Sequence, residues 1–292
     1  MIAVLGIGGV GGMLAARTGA VCVASEQTTE AITVGGLRLA TGSDEIVVEP
    51  RVVTGLIDPV ALLVVAVKAL ALPDALARIA PEAVAGAVVL PLLNGLEHLE
   101  AIRAAFPATT VVAGSIGRFE GFSPEPGRIV QRTPGALVTA GSDAMSADDL
   151  RAALDPLVVP GVDLVVGLSE REVLWEKAAR LAVLAAATVA TGWPVGELRN
   201  GSARVRLETA LAEACAVAQA EGVTLAPTAQ WAIIETMDPE LTTSAARDAA
   251  AGRETELDAI TGAVVRAGRR LGVPTPELAA LLYEAEAACR AR

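Results

Sequence analysis

The chain begins with residues that could hold the phosphates of a dinucleotide. Gly6-Ile7-Gly8-Gly9-Val10-Gly11 follows the apolar run IAVLG at positions 2–6 and precedes a helix-like segment. In such a turn the first glycine permits the tight bend, the second lets backbone approach a pyrophosphate, and the third permits close packing of helix on strand. The amides at the helix start then face the phosphates. The motif predicts a dinucleotide site; the alternative is a plain glycine turn.

The residues after the second predicted strand bear on the choice of cofactor. The sequence there is Ala24-Ser25-Glu26-Gln27, about 20 residues after the first glycine, where an acidic residue holds the ribose 2′-OH of NAD and an arginine accepts the 2′-phosphate of NADP. Glu26 stands at the expected distance, and its sequence neighbours include no Arg or Lys. This pattern favours NAD, with a solvated loop glutamate as the alternative.

A lysine in the second half of the chain could act as an acid. Lys177 shares a helical face with Leu181 and Ala185, at i+4 and i+8. Apolar neighbours would lower the pKa of the ammonium toward working pH and suit it to protonate an alkoxide. The alternative is an ordinary lysine that reaches solvent along a helix start.

Composition and charge exclude several function classes. The 292 residues contain 23 Lys and Arg against 34 Asp and Glu, a net charge of −11, and only 2% aromatic residues. A nucleic-acid partner is therefore not expected, because basic patches and stacking platforms are lacking. The chain has one histidine, His98, so a metal site built on several imidazoles is also not expected. We expect His98 to cap or line the exposed start of a helix after Asn94.

Cysteine usage and hydropathy indicate a cytoplasmic chain outside the membrane. Cys22, Cys215 and Cys289 are odd in number, far apart and in no CxxC pair, which favours a reducing compartment over a disulfide framework. The longest apolar helical run, 181–190, is too short to cross a bilayer. A small-molecule ligand is the expected partner, and a helical second half could support a homodimer.

The elements that must position these residues divide the chain in two. Short apolar runs at 2–6, 21–24, 62–67, 87–92 and 110–114 are typical of parallel strands buried on both faces. They predict an α/β fold: an N-terminal Rossmann-like doubly wound parallel sheet, a dinucleotide-binding domain over 1–167. Helical periodicity at 169–191, 202–221, 254–271 and 275–291 then predicts an all-helical C-terminal substrate domain over 168–292.

Seven motifs in this order resemble the ketopantoate reductase (2-dehydropantoate 2-reductase) family over nearly the whole chain. They are the Gly6–Gly11 loop, VAVKAL with Lys68, LLNGLEHL with Asn94, PGRIVQ, LWEKAARLA with Lys177, GELR, and RETELDAITG with Glu256. The resemblance implies reduction of ketopantoate to pantoate, a step of pantothenate biosynthesis, by hydride transfer from NAD(P)H. NADP is the cofactor that the resemblance implies.

The resemblance also implies roles for individual residues. Lys177 would protonate the forming alkoxide, and Glu256 would be the family's glutamate near cofactor and active site. Asn94 would touch both cofactor and substrate, Lys68 would line the cofactor cleft, and Ser244 would bind the substrate carboxylate. Each of these also has a plainer interpretation as a turn residue or a solvated side chain.

Four positions depart from the family pattern. Leu181, Ala185 and Val195 stand where the family has asparagines that bind the substrate, and Ser25 stands where it has an arginine after the second strand. An apolar pocket disfavours a hydroxylated substrate. The sequence therefore leaves two alternatives: a diverged oxidoreductase for a more apolar keto substrate, or a non-catalytic nucleotide-binding homologue. A pure binding protein would have no need of Lys177 and Glu256.

Overall fold

A computed structural model describes residues 1–42 and 44–291. Its contacts separate the chain into two compact units. The first contains residues 1–93 and 98–173, and the second contains residues 94–97 with everything from 174 onward. The helical unit thus begins at Leu174 and also takes in a four-residue segment, Asn94–Glu97, from within the first unit's sequence.

The first unit is a mixed α/β structure. Its strands are β1 Ile2–Leu5, β2 Val21–Val23, β3 Leu37–Thr41, β4 Asp44–Val48, β5 Val52–Val53, β6 Leu62–Val65, β7 Val88–Pro91, β8 Thr110–Val111, β9 Ala113–Gly117, β10 Gly121–Glu125, β11 Arg128–Gln131, β12 Ala136–Gly141 and β13 Val162–Leu168. Its helices are α1 Gly9–Thr18, α2 Glu26–Gly35, α3 Leu72–Leu76, α4 His98–Ala105 and α5 Ala147–Leu154.

A six-stranded parallel sheet carries the N-terminal glycine motif. Its order is β5-β2-β1-β6-β7-β8, and each neighbouring pair is parallel. The strands β1, β6 and β7 are almost wholly buried, which explains their uninterrupted apolar sequence. Leu5 pairs with both Val23 and Val65, so three strands end side by side where the strand order reverses. Such a switch point is where α/β sheets bind ligands.

Two smaller sheets, which the apolar runs of the sequence do not predict, complete the first unit. Their orders are β10-β11-β3-β4 and β13-β12-β9. Their strands mostly alternate buried and exposed residues, a weaker signal than a continuous apolar run. Helix α1 packs on the first of these sheets, where Ile129 lies against Gly12.

The second unit is helical in its described part. Its helices are α6 Glu170–Thr191, which starts in the first unit, α7 Val195–Asn200, α8 Arg204–Ala220, α9 Pro227–Thr236, α10 Ser244–Ala250, α11 Ala263–Leu271 and α12 Pro276–Arg290. A π-helical turn, Asp258–Gly262, precedes α11. The core consists mainly of Ala, Val and Leu from α6, α8, α11 and α12, together with Trp175. Within the described residues, no helix has the length and apolarity needed to cross a membrane.

Candidate active site

The glycine turn leaves room where a pyrophosphate would bind. Gly6 has a φ of +93° and lies against Ala66 and Val67, so a side chain there would be strained. A Cβ on Gly11 would overlap the carbonyl oxygen of Gly6. A Cβ on Gly8, in contrast, would meet no protein atom within 4 Å. The fold therefore requires the first and third glycines, whereas the second leaves space for a ligand.

Helix α1 directs its first amides toward that space. It begins at Gly9, with Gly8 as N-cap, and no side chain caps it. Ile7 is buried and Val10 packs against the sheet core, so these two hold the turn while backbone faces the open side. The helix has ten residues, which is about three turns. The residues present fit a dinucleotide phosphate.

An arginine from a distant part of the sequence lies at the end of β2. Ser25 is the N-cap of α2 and accepts a hydrogen bond from the Thr28 amide, and Glu26 is the exposed first residue of that helix. Arg78, which follows α3, donates to the Ala24 carbonyl oxygen at 3.2 Å. Arg78 is 54 residues from Ala24 in sequence but adjacent in the fold, so this strand end has a cation although the sequence neighbours of Glu26 include no Arg or Lys.

Lys68 lies beyond the strand that was expected to carry it. The sequence predicts a strand over 62–67, but β6 ends at Val65. Lys68 is the N-cap of a short 3₁₀ turn, Ala69–Ala71, and it is exposed. Lys68 comes two residues after Ala66, and Ala66 lies against Gly6. Lys68 and the glycine turn therefore lie at the same edge of the parallel sheet.

Lys177 and Glu256 form a charged pair in the helical unit. Lys177 is half-buried on the third turn of α6, and Glu256, just before the π-helical turn, is 7% exposed. Burial lowers the pKa of Lys177 to about 8, while the Glu256 carboxylate raises it and the positive charge of Arg180 lowers it. An ammonium of this pKa can donate a proton near neutral pH.

Asn94 belongs to a segment held by the π-helical turn. Gly95 has a φ of +95°, and a Cβ there would overlap the carbonyl oxygen of Ala259. Arg266 donates to both carboxylate oxygens of Glu97, at 3.0 and 2.7 Å, and to Asp258 at 2.6 Å. Packing and charge thus fix the segment that carries Asn94 onto the turn that follows Glu256.

The positions where asparagines were expected differ in accessibility. Ala185 and Val195 are both 0% exposed in the helical core, so no ligand touches their side chains here. Leu181 is half-buried. Ser244 is exposed as the first residue of α10, while its neighbour Thr243 is the buried N-cap. Of the three apolar replacements, Leu181 alone retains an accessible side chain.

Arg180 lies one helical turn after Lys177 and was not singled out by sequence. It is half-buried, and its guanidinium donates to the side-chain oxygen of Gln230 on α9, which is 5% exposed. Burial lowers the pKa of Arg180, while the carboxylate of Glu176 raises it. The sequence feature that could have pointed to Arg180 is its i+3 spacing from Lys177, which places both cations on one helical face.

His98 is buried, so the expectation that it lines an exposed helix start is wrong. It is the first residue of α4 and 5% exposed. Neither ring nitrogen has a hydrogen-bond partner among the described residues. Burial lowers the pKa of the imidazole to about 4. Near neutral pH the ring is therefore in its neutral form and cannot act as an imidazolium acid.

Comparisons with known proteins match the whole architecture. A family profile described as "Ketopantoate reductase PanE/ApbA" matches residues 2–143, and one described as "Ketopantoate reductase PanE/ApbA C terminal" matches residues 171–288. A 2-dehydropantoate 2-reductase from Halobacterium salinarum is 30% identical over 284 residues, covering 93% of this chain and 92% of the relative.

Solved structures share the fold. A PanE/ApbA family ketopantoate reductase from Ralstonia eutropha JMP134 is 28% identical with a TM-score of 0.86, covering 99% of this chain and 98% of the other. A D-mandelate dehydrogenase solved with NADH and anilino(oxo)acetate has a TM-score of 0.87 at 22% identity, with coverage of 99% and 98%. The second likeness extends to the fold alone.

Proposed function

The chain belongs to the ketopantoate reductase family, and from that premise we propose that it reduces the ketone of a 2-oxo acid with NAD(P)H. The first unit binds the dinucleotide, and the second holds the oxo acid. The observation that carries this proposal is the Lys177–Glu256 pair: a half-buried ammonium whose pKa is lowered to about 8, beside a buried carboxylate. A protein that only binds nucleotides has no use for a proton donor tuned in this way.

Residues of the glycine turn would hold the dinucleotide. Gly8 leaves space for the pyrophosphate, and the amides at the start of α1 face it. The exposed Lys68 follows the same strand edge and supplies positive charge. When bound, the reduced nicotinamide supplies a hydride to the carbonyl carbon of the substrate.

Lys177 is the proposed proton donor. As the carbonyl carbon accepts the hydride, the carbonyl electron pair moves to oxygen, and the Lys177 ammonium gives that oxygen a proton. The product is a 2-hydroxy acid, and Lys177 is left as a neutral amine. Glu256 keeps Lys177 protonated before the step, because its carboxylate raises the pKa of the ammonium. Asn94 and Ser244 are the proposed neutral donors that orient the substrate.

We propose NADP as the preferred cofactor. Arg78 supports this choice, because its guanidinium is hydrogen-bonded to the Ala24 carbonyl at the end of β2, where the adenosine ribose is recognised. Ser25 offers a hydroxyl at the same strand end. Glu26 starts α2 there and would favour a ribose 2′-OH instead. Arg78 is held by the fold at this strand end, so we give it more weight than the exposed Glu26.

A more apolar oxo acid is the second candidate substrate. Leu181, half-buried one turn after Lys177, favours it over the hydroxylated ketopantoate. The three free cysteines suit a reducing cytoplasm, which we propose as the location.

The test is a titration of the purified protein with NADPH and with NADH, followed by absorbance at the nicotinamide band on addition of ketopantoate or apolar 2-oxo acids. Oxidation of NADPH by one of them is the expected result. Tight cofactor binding with no turnover of any 2-oxo acid would contradict the proposed reaction.

Cofactor choice is tested separately with Arg78→Ala. Loss of a charge-assisted contact to phosphate should raise KM for NADPH on the order of tenfold or more and leave KM for NADH unchanged. Arg51→Ala is the matched control, because Arg51 is an exposed arginine beside β2 that pairs with Asp58. Equal effects of Arg78→Ala on both cofactors would remove Arg78 from 2′-phosphate recognition.

A further inference from the structure

Two cations are neighbours on one face of α6 in the helical unit, and a buried carboxylate lies beside the first of them. Lys177 and Arg180 are three residues apart on α6, both half-buried, and close enough that the charge of Arg180 lowers the pKa of Lys177. Glu256 is the buried carboxylate that acts on Lys177. Two further groups near Arg180 could carry charge. Glu176 is an exposed carboxylate on the same helix, and the Cys215 thiol stays neutral because burial raises its pKa to about 11.

The guanidinium of Arg180 differs in its partners from two other half-buried arginines of this unit, Arg206 and Arg266. Arg206 pairs with Glu277 and Glu284, and Arg266 pairs with Glu97 and Asp258. Within the described chain, Arg180 donates to the neutral amide oxygen of Gln230 and forms no ion pair. Glu176, one turn earlier, acts on it only from an exposed position. A guanidinium has five N–H donors in a planar fork, so most of its donors remain available.

We propose that Arg180 binds the carboxylate of the 2-oxo acid, with Gln230 holding the guanidinium in place. This inference rests on the proposed function. In a 2-oxo acid the carboxylate is bonded directly to the carbonyl carbon, so its anchor must lie beside the proton donor. Residues at i and i+3 on a helix meet that requirement, since their side chains are neighbours on one face.

The assignment explains how an acid is recognised without the expected amides. Ala185 and Val195 are wholly buried, and Leu181 offers only hydrocarbon. A bidentate contact from arginine to carboxylate is stronger and more directional than the neutral amide contacts it would replace. Arg180 would therefore select for the acid group, and Leu181 would select for an apolar substituent next to it.

The experiment compares each 2-oxo acid with its uncharged primary amide. Arg180→Gln should lower kcat/KM for the acid on the order of 100-fold, mainly through KM, and leave kcat/KM for the amide nearly unchanged. Arg180→Lys should recover part of the loss, because it keeps the charge but not the planar fork. Equal losses for acid and amide, or no loss for either, would overturn the proposal.

Arg199→Gln is the matched control for a purely structural role. Arg199 is also half-buried in this unit, and its guanidinium joins α7 to the end of α9 through the carbonyl oxygens of Ile234 and Met237. Its substitution should lower thermal stability without changing the preference for acid over amide. A similar loss of that preference in Arg199→Gln would show that Arg180 acts only through the fold.

A binding measurement separates this proposal from the proposed reaction. Oxamate resembles a 2-oxo acid but cannot be reduced, and calorimetry of the NADP-loaded protein reports its affinity without turnover. We expect binding in the wild type and a roughly 100-fold weaker affinity in Arg180→Gln. If the wild type bound oxamate through Arg180 but reduced no oxo acid, the reaction alone would be wrong. Equal oxamate affinity in both proteins would overturn the role of Arg180.

Discussion

At the scale of single residues, the environment of Lys177 determines the pH range in which this lysine can act as the proposed proton donor. Desolvation and the charge of Arg180 favour the neutral amine, and the carboxylate of Glu256 favours the ammonium. In the proposed reaction, ketone reduction consumes a proton from Lys177, so the enzyme form with the ammonium would be the active one. The balance of these three groups therefore determines the pH above which reduction slows.

We predict that kcat/KM for reduction is level below pH 8 and falls about tenfold per unit above it, since the pKa of Lys177 is about 8. Glu256→Gln removes the group that raises this pKa, so the falling limb should move to lower pH. Stopped-flow or steady-state pH profiles measure both midpoints.

Lys177→Ala is the reference for these profiles. It should lower kcat by about 10²–10⁴-fold, with NADPH affinity nearly unchanged. A fall in wild-type kcat/KM that is centred near pH 10 would contradict the assignment of Lys177. A fall at higher pH in Glu256→Gln than in the wild type would contradict it as well.

The burial of His98 should make the folded protein less stable in acid. Its pKa is lowered from 6.5 to about 4 in the fold, so between these values the unfolded chain binds more protons than the folded one. Stability is therefore expected to fall as pH drops from 6.5 toward 4, by up to about 3 kcal/mol from this group. Urea unfolding of wild type and His98→Leu should show this decline, with a smaller decline in the variant.

Proton NMR checks the same assignment directly, because the chain contains one histidine. Its ring resonance in the folded protein should titrate near pH 4. A midpoint near 6.5 would mean that the ring is accessible to water.

At the scale of elements, substitutions in the glycine turn distinguish a loss of cofactor binding from a loss of folding stability. Gly8→Val adds a side chain to open space at the N-cap of α1, whereas Gly11→Val places one against the carbonyl oxygen of Gly6. We predict that Gly8→Val keeps the thermal midpoint and weakens NADPH binding at least tenfold, and that Gly11→Val lowers stability by several kcal/mol.

Gly35→Val is the control for the added valine, because Gly35 also has nothing within 4 Å and lies exposed at the end of α2. It should leave cofactor affinity and stability close to wild type. Normal NADPH titration of Gly8→Val by fluorescence quenching would remove the turn from the cofactor site.

The π-helical turn and α11 hold the segment that carries Asn94. Arg266→Ala would release both Glu97 and Asp258. We predict about a tenfold lower kcat/KM for the oxo acid, because Asn94 loses its fixed position. Stability should change by no more than about 1 kcal/mol, since the ion pairs are partly exposed.

Arg206→Ala removes a similar network elsewhere in the same unit, with Glu277 and Glu284. It should change stability by about as much as Arg266→Ala does and leave kcat/KM for the oxo acid unchanged. If the two variants showed the same kinetics, the Arg266 contacts would have no part in positioning Asn94.

At the scale of the whole molecule, the local sequence predicted the elements that depend on short stretches of chain. The parallel strands and the four long helical segments were evident, because continuous apolar runs and helical periodicity are properties of short windows. The α/β architecture with a helical C-terminal region and the family are confirmed. The short helices α7, α9 and α10 were missed, since each is ten residues or fewer and begins amid proline or polar residues.

The site was less predictable because its remaining parts are distant in sequence. Arg78 reaches the end of β2 across 54 residues, and Gln230 meets Arg180 across 50. No motif links such pairs; tertiary packing brings them together. The burial of His98, Ala185 and Val195 likewise follows from packing and not from residue type.

The segment Asn94–Glu97 has a consequence for biosynthesis. It lies within the first unit's sequence but packs with the second, and its partner Arg266 is 169 positions from Glu97. During translation the parallel sheet can therefore form long before the residues that order Asn94 leave the ribosome. A nascent or truncated chain would then carry a formed glycine turn while Asn94 is still unordered, so the proposed site would be complete only when the C-terminal helices are in place.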